Sequence, residues 1–210
     1  SMKINYNLEM ENTIKKLNYK PKLLIHSCCG PCSSAVIERL MENFQINILF
    51  YNPNLDSKME WERRIKEQRK IIDALKKDEE INLIVPDFIP EEFLSVIRGT
   101  EKAPEGGKRC MRCYYLRLLY TGLCARDLGC DFWTTSLTIS PHKDSQIINK
   151  MGLAIEKKTG AKFLMSDFKK KNGFKRSVEL SQQYNLYRQD YCGCKFSKIE
   201  AENRNRNKSL

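Results

Sequence analysis

Seven thiols in three short clusters carry most of the chemistry that this sequence could perform. Cys28, Cys29 and Cys32 lie in His26-Ser-Cys-Cys-Gly-Pro-Cys32, Cys110 and Cys113 in Lys108-Arg-Cys-Met-Arg-Cys-Tyr114, and Cys192 and Cys194 in Asp190-Tyr-Cys-Gly-Cys194. Thiols two or three residues apart can aim at one centre, and the thiolate is both the metal ligand and the nucleophile. Cys124 and Cys130 stand alone, in or just after the apolar stretch 118–128, and read as buried small hydrophobes. The total of 9 cysteines is odd, which fits complete disulfide pairing badly. The first residues, Ser1-Met2-Lys3-Ile4, carry no apolar leader, and Ser1 reads as a cloning remnant. A cytoplasmic protein using its thiols for metal or redox chemistry is therefore the expectation.

Several chemistries compete for these thiols. A strand, then Cys29-Gly-Pro-Cys32, then a helix is the arrangement of a thioredoxin active site, where a helix N-terminus lowers a thiolate's pKa. Against that reading stand the extra Cys28, a strand–helix alternation too regular for thioredoxin's mixed sheet, and four further paired cysteines with no role. Cys110-x-x-Cys113 with Cys192-x-Cys194 could hold tetrahedral zinc, which leaves the first cluster unexplained. An iron–sulfur cluster also takes four thiolates, so seven leave room for a second metal or a redox thiol. Adjacent cysteines such as Cys28 and Cys29 do not easily share one metal and suit a bridge between neighbouring centres. Neither a Walker sequence nor a GxGxxG fingerprint is present, so ATP binding is not expected.

The charge balance, 37 Lys+Arg against 26 Asp+Glu for a net +11, suits a polyanionic partner, most simply nucleic acid. Residues 169–176 concentrate that charge. Lys169, Lys170, Lys171, Lys175 and Arg176 surround Phe174 in a glycine-containing turn, a segment suited to phosphate contact and base stacking. Tyr184 and Tyr187 are further stacking candidates. The run 63–70 reads mostly as a solvated helix face. His26, inside an apolar strand, reads as a hydrogen-bonded core residue, whereas His142 follows Pro141 in a loop that could meet substrate. No apolar run approaches the roughly 20 residues needed to cross a bilayer, so no membrane partner is expected.

Positioning these residues requires a regular scaffold. Apolar runs at 22–29, 46–51, 81–85, 131–137 and 162–166 read as strands. Between them, helices are predicted over 33–44 (Val36, Ile37, Leu40, Met41 and Phe44 inward), 57–78 (Trp61, Ile65, Ile72 and Leu75 inward), 91–98, 110–128 and 144–159, and the remainder reads as helical and basic. Alternating strands and helices with right-handed crossovers make an α/β, three-layer Rossmann-like (HUP-like) domain: a parallel sheet with helices on both faces. Residues 22–197 are expected to form a single metal-binding catalytic domain, after an N-terminal extension over 1–21 and before a polar, basic tail over 198–210 that should fray. In such sheets the functional crevice lies at the carboxyl ends of the strands, where Cys28, Cys29, Asn52 and the segment 138–141 fall.

Taken together the motifs carry a resemblance. His26-Ser-Cys-Cys-Gly-Pro-Cys32, Phe50-Tyr-Asn-Pro-Asn54, Arg109-Cys-Met-Arg-Cys-Tyr114, Thr134-Thr-Ser-Leu-Thr-Ile-Ser-Pro-His-Lys143, Ser166-Asp-Phe-Lys-Lys170 and Leu186-Tyr-Arg-Gln-Asp-Tyr-Cys-Gly-Cys194 resemble, in order, those of the QueH-type epoxyqueuosine reductases. The resemblance implies reduction of epoxyqueuosine to queuosine at the wobble position of tRNA, the last step of queuosine biosynthesis. It also implies a 4Fe-4S cluster with an adjacent mononuclear iron, held by Cys28, Cys29, Cys110, Cys113, Cys192 and Cys194. Some members carry Asp where Cys32 stands, which assigns Cys32 to the second metal. The implied partners are a tRNA with a GUN-type anticodon carrying epoxyqueuosine, and an unidentified electron donor. Removing an epoxide oxygen to leave an alkene takes two electrons and two protons, and Tyr114, His142, Lys143 and Tyr191 are the candidate proton donors. The alternatives are a thioredoxin-like thiol–disulfide oxidoreductase and a structural zinc-binding RNA-binding protein.

Overall fold

Strand β1 (Lys22–His26) has neighbours on both sides, β2 (Gln45–Leu49) and β4 (Phe132–Thr135), and β3 (Asn82–Ile84) pairs on the outside of β2. The resulting sheet, in order β3-β2-β1-β4, is parallel throughout. The computed structural model describes residues 2–210. Among them, no helix is long and apolar enough to cross a membrane.

Side chains of β1 alternate between two cores, as the pleat requires. Leu23 and Ile25 join Val36, Ile37 and Leu40 of α2 (Gly30–Leu40), Ile71 and Ile72 of α3 (Lys58–Leu75) and Leu180 of α7 (Gly173–Gln183) on one face. Leu24 joins Leu118 and Ala125 of α5 (Lys108–Leu128) and Ile148 and Ile155 of α6 (Ser145–Thr159) on the other, around Trp133. Three layers result: helices, sheet, helices. Met10 of α1 (Tyr6–Lys15) is buried in the first core, so the N-terminal segment packs onto the domain. The short α4 (Pro90–Ile97) packs on α5 through Phe93 and Ile97.

Two expectations need correction. The run 162–166 is not a fifth strand, since it meets the sheet through a single bridge between Trp133 and Phe163. Asn149 is the reason: its side chain accepts from Ser166 N at 3.0 Å and donates to Ser166 O at 2.7 Å, using the groups that a longer ladder would need. The tail does not fray as expected, because 195–208 is helical (α8, Lys195–Lys208). Cys194 caps it by accepting from Ser197 N at 3.3 Å, Ala201 is buried, and Arg204 reaches Glu105 at 3.5 Å.

The reversal of strand order falls between β1 and β4. Loops leaving these strands in opposite directions open a crevice above their carboxyl ends. Residues 27–32 and the short 3-10 turn Ser136–Ile139 stand at its edges.

Candidate metal centre

Cys28 and Cys29 leave the top of β1, and Cys29 is the N-cap of α2, its sulfur accepting from Cys32 N at 3.4 Å. The helix therefore begins at Gly30, ahead of the expected Ser33, and Cys32 lies in its first turn. Gly30 permits this start because a Cβ there would stand 2.9 Å from the Glu67 carbonyl oxygen of α3. The sulfurs of Cys28, Cys29 and Cys32 all lie within 4.8 Å of one another, so the three can hold one metal ion, and the expectation that adjacent Cys28 and Cys29 would not share one is corrected. Hydrogen bonds from the Cys29 and Cys32 thiols hold Cys28 well below the usual thiol range, against the cost of its burial. Cys29, donating to Cys28, is pushed up to about 12.

A second sulfur group forms where α5 meets the loop before α8. Cys110 and Cys113, three apart on one helical face, line a small cavity with Cys192 and Cys194, and Asn54, Arg109 and Tyr114 complete its walls. Gly193 lets the loop close. Its φ is +128°, and a Cβ there would meet Leu55 Cδ2 at 2.6 Å. The loop is held by Gly193 O accepting from Asp56 N at 2.9 Å and by Cys192 O accepting from Arg64 at 3.2 Å. Burial pushes Cys113 up to about 12 against the pull of Arg117. Four thiols around one cavity match the ligand count of tetrahedral zinc or of an iron–sulfur cluster.

Cations tie the two groups together. Arg117 is 1% exposed and has no carboxylate partner; its guanidinium donates to Asn52 Oδ1 at 2.8 and 3.2 Å and approaches Cys113 Sγ at 3.7 Å. Burial opposes its charge, but the sulfurs of Cys113, Cys192 and Cys28 more than restore it. Lys143 behaves alike: burial works against its ammonium, and Cys192, Tyr114, Cys28 and Cys32 raise its pKa. The groups lie side by side: Cys28, Cys29 and Cys110 share one buried cluster, and Asn52, which accepts from Arg117, donates to Ser27 O at 2.9 Å. Asn54 Oδ1 and the Arg109 Nε and Nη2 atoms are buried without a hydrogen-bond partner in the wall of the four-cysteine cavity. Arg109 Nη2 still has Glu200 Oε1 at 3.6 Å, but Arg117 is buried with no carboxylate at all, which is costly. A site that gathers thiolates on a metal supplies the missing charge, so the donor set and its surroundings fit a metal centre.

A family model described as epoxyqueuosine reductase QueH matches residues 23–200. The chain belongs to the epoxyqueuosine reductase QueH family. A relative named epoxyqueuosine reductase QueH in Streptococcus pyogenes serotype M1 is 40% identical over 202 residues, covering 94% of this chain and 79% of its own. Those of the same name in Staphylococcus epidermidis and Thermotoga maritima are 36% and 33% identical, over 95% and 85% of this chain and 87% and 91% of theirs.

Within this QueH family member, the sequence-predicted residues divide. Tyr114 is buried beside Cys110 and Cys113, and Lys143 is half-buried in a cavity next to His142. Tyr191 donates its hydroxyl to Asp56 at 3.1 Å, and His142 is exposed beside another cavity. Cys124 and Cys130 are half-buried against the core around Trp133. In the basic run, Lys169 Nζ donates to the Thr138 and Lys143 carbonyls at 2.8 and 3.0 Å, and Arg176 pairs with Glu38 at 2.7 Å. Lys170, Lys171, Phe174 and Lys175 are exposed, with Arg188 5.4 Å from the Phe174 ring. His26 is a core residue: its Nε2–H donates to Tyr51 O at 3.0 Å, its Nδ1 accepts from Thr135 at 3.0 Å, and burial lowers its pKa to about 3.

The run 63–70 is mostly a solvated face, with Arg63, Lys66, Arg69 and Lys70 exposed, but Arg64 departs from it. It is 2% exposed, pairs with Glu60 at 2.9 Å and reaches the Cys192 loop. Arg117 escapes the sequence reading as well. Helical spacing could have found both, because Arg117 lies seven after Cys110 and four after Cys113, and Glu60, Arg64 and Gln68 repeat every four residues.

Proposed function

We propose that this protein is an epoxyqueuosine reductase that holds a 4Fe-4S cluster on Cys110, Cys113, Cys192 and Cys194 and a mononuclear iron on Cys28, Cys29 and Cys32. Its substrate is epoxyqueuosine at the wobble position of a tRNA with a GUN-type anticodon, and the work belongs to the cytoplasm, where a separate donor supplies electrons. The carrying observation is the pair of sulfur groups, four thiols and three, at the carboxyl edge of the sheet.

Converting the epoxide to an alkene consumes two electrons and two protons and releases the oxygen as water. When bound, the cluster supplies electrons singly and the single iron is a Lewis acid for the epoxide oxygen. The chain supplies the rest. Lys143 holds a proton where the oxygen must leave, with Tyr114 next to it as the second donor. Arg117 and Arg64 balance the thiolates, so that the sulfur ligands stay charged in a buried place. Tyr191 and His142 have more remote roles: the first orders the Cys192 loop through Asp56, and the second stands beside a neighbouring cavity.

The test is anaerobic reconstitution with iron and sulfide, followed by incubation with tRNA carrying epoxyqueuosine and a low-potential chemical reductant. Nucleosides released from that tRNA should lose one oxygen atom by mass spectrometry, and the protein should absorb near 400 nm. A colourless protein that binds only zinc, or a coloured one that leaves the epoxide intact, would contradict the reading.

A further inference from the structure

A cavity of about 530 Å³ opens beside Lys143, walled by residues 3–5 and 141–146 with Asp167, Lys169 and Lys170. Its first wall is stapled in place. Ile4 N donates to Gln146 Oε1 at 3.1 Å, and Gln146 Nε2 donates back to Ile4 O at 2.8 Å, laying the N-terminal segment along the start of α6. Its floor is equally fixed, because Lys169 Nζ joins the Thr138 and Lys143 carbonyls and pairs with Asp167 at 3.3 Å.

The charges in this cavity are unbalanced. Asp144 is occupied in capping α6 at Gln146 N, 2.8 Å away, and Asp167 is shared between Lys169 and the Ser145 hydroxyl at 3.2 Å. Among the described residues, no carboxylate pairs with Lys3 or Lys170, which line the same space with His142. The cavity therefore presents uncompensated cations to solvent, at the amino end of a 15-residue helix whose dipole adds to them.

Lys143 lines this cavity, and Lys169 ties its carbonyl to Thr138 in the turn whose Ser136 Oγ lies 3.7 Å from Cys28 Sγ, so a molecule reaching the sulfurs along this edge leaves its neighbouring groups here. We propose that the cavity seats the RNA phosphodiester adjoining the nucleotide under reduction, gripped by Lys3, His142 and Lys170, with the N-terminal segment as a substrate wall. This rests on the reductase reading given above and deepens it. It also moves the phosphate contacts away from the far part of the basic run, where Arg176 is held by Glu38 and Glu179. Lys169 becomes a positioning residue that fixes the Lys143 loop.

The experiment measures binding of a fluorescein-labelled anticodon stem-loop, with guanosine at the wobble position, to the metal-loaded protein by anisotropy across a salt series. Lys3→Ala with Lys170→Ala should weaken binding at least tenfold and flatten the log affinity against log salt slope by about 0.7 for each phosphate no longer neutralised. Iron and sulfide content should equal the parent's. Gln146→Ala, which unpins the wall without removing a charge, should weaken binding less and leave the slope unchanged. Lys157→Ala with Lys158→Ala, at the other end of α6, serves as a charge control. Parental affinity and slope in the Lys3/Lys170 variant, or a loss no larger than the control's, would overturn the inference and leave the reductase reading standing. A parent that does not bind the stem-loop would overturn that reading itself.

Discussion

Helices α3 and α5 each present one inward face along their whole length, and on both that face changes character part-way. On α3 it runs from Glu60, Arg64 and Gln68 beside the sulfurs to Ile71, Ile72 and Leu75 in the core. On α5 it runs from Cys110, Cys113 and Arg117 to Leu118 and Ala125. At the amino end of the sheet, Leu23, Leu40, Phe44 and Ile46 need only shape and volume. At the carboxyl end every buried polar group needs a partner: Ser27 donates to Gln68 Oε1 at 2.5 Å, and Gln68 Nε2 to Ser33 at 2.9 Å. The difference teaches where each property resides. The amino end supplies stability, and the carboxyl end holds charge, that of Arg117 above all, which no carboxylate of the chain balances.

That contrast can be broken by substitutions at either end. The largest effect is expected from Cys113→Ala, which should abolish the absorbance near 400 nm and all turnover; retained iron and sulfide would show that this pair is not a ligand pair. Arg117→Met should lower iron content several-fold and Arg117→Lys should restore part of it, as judged by metal analysis of folded protein, because the buried thiolates lose their counter-charge and then regain it. Equal iron in Arg117→Met would remove the electrostatic part of the account. Phe44→Ala, in the core, should cost about 3–5 kcal/mol in denaturant unfolding while leaving iron per folded chain unchanged. The smallest effect is expected for Cys124→Ala, about 1 kcal/mol with parental colour.

Much of this is legible in the sequence. Strands 22–29 and 46–51 stand out because both faces are apolar, and the thiol clusters stand out by residue type and spacing. Of the predicted stripe on α3, Ile72 and Leu75 are buried but Trp61 and Ile65 only half-buried, because hydrophobicity cannot find an inward face that is polar over its first half. Burial of Arg64 depends on Cys192, 128 positions away, and no local pattern reveals such a partner. The same is true of 162–166, whose apolar residues do pack inward, although Asn149 captures the backbone that a strand would have used. Loss of regular structure there is decided by one side chain on another element.

The central claim, two metal sites on separate thiol groups, is tested most directly by counting iron and acid-labile sulfide in the anaerobically reconstituted parent and in Cys32→Ala. Four thiols around one cavity and three beside it predict about five iron and four sulfide per chain in the parent. Cys32→Ala should lose about one iron, keep its sulfide and its absorbance near 400 nm, and lose turnover. Loss of the sulfide and the chromophore together with that single thiol would contradict the division and make Cys32 a ligand of the cluster.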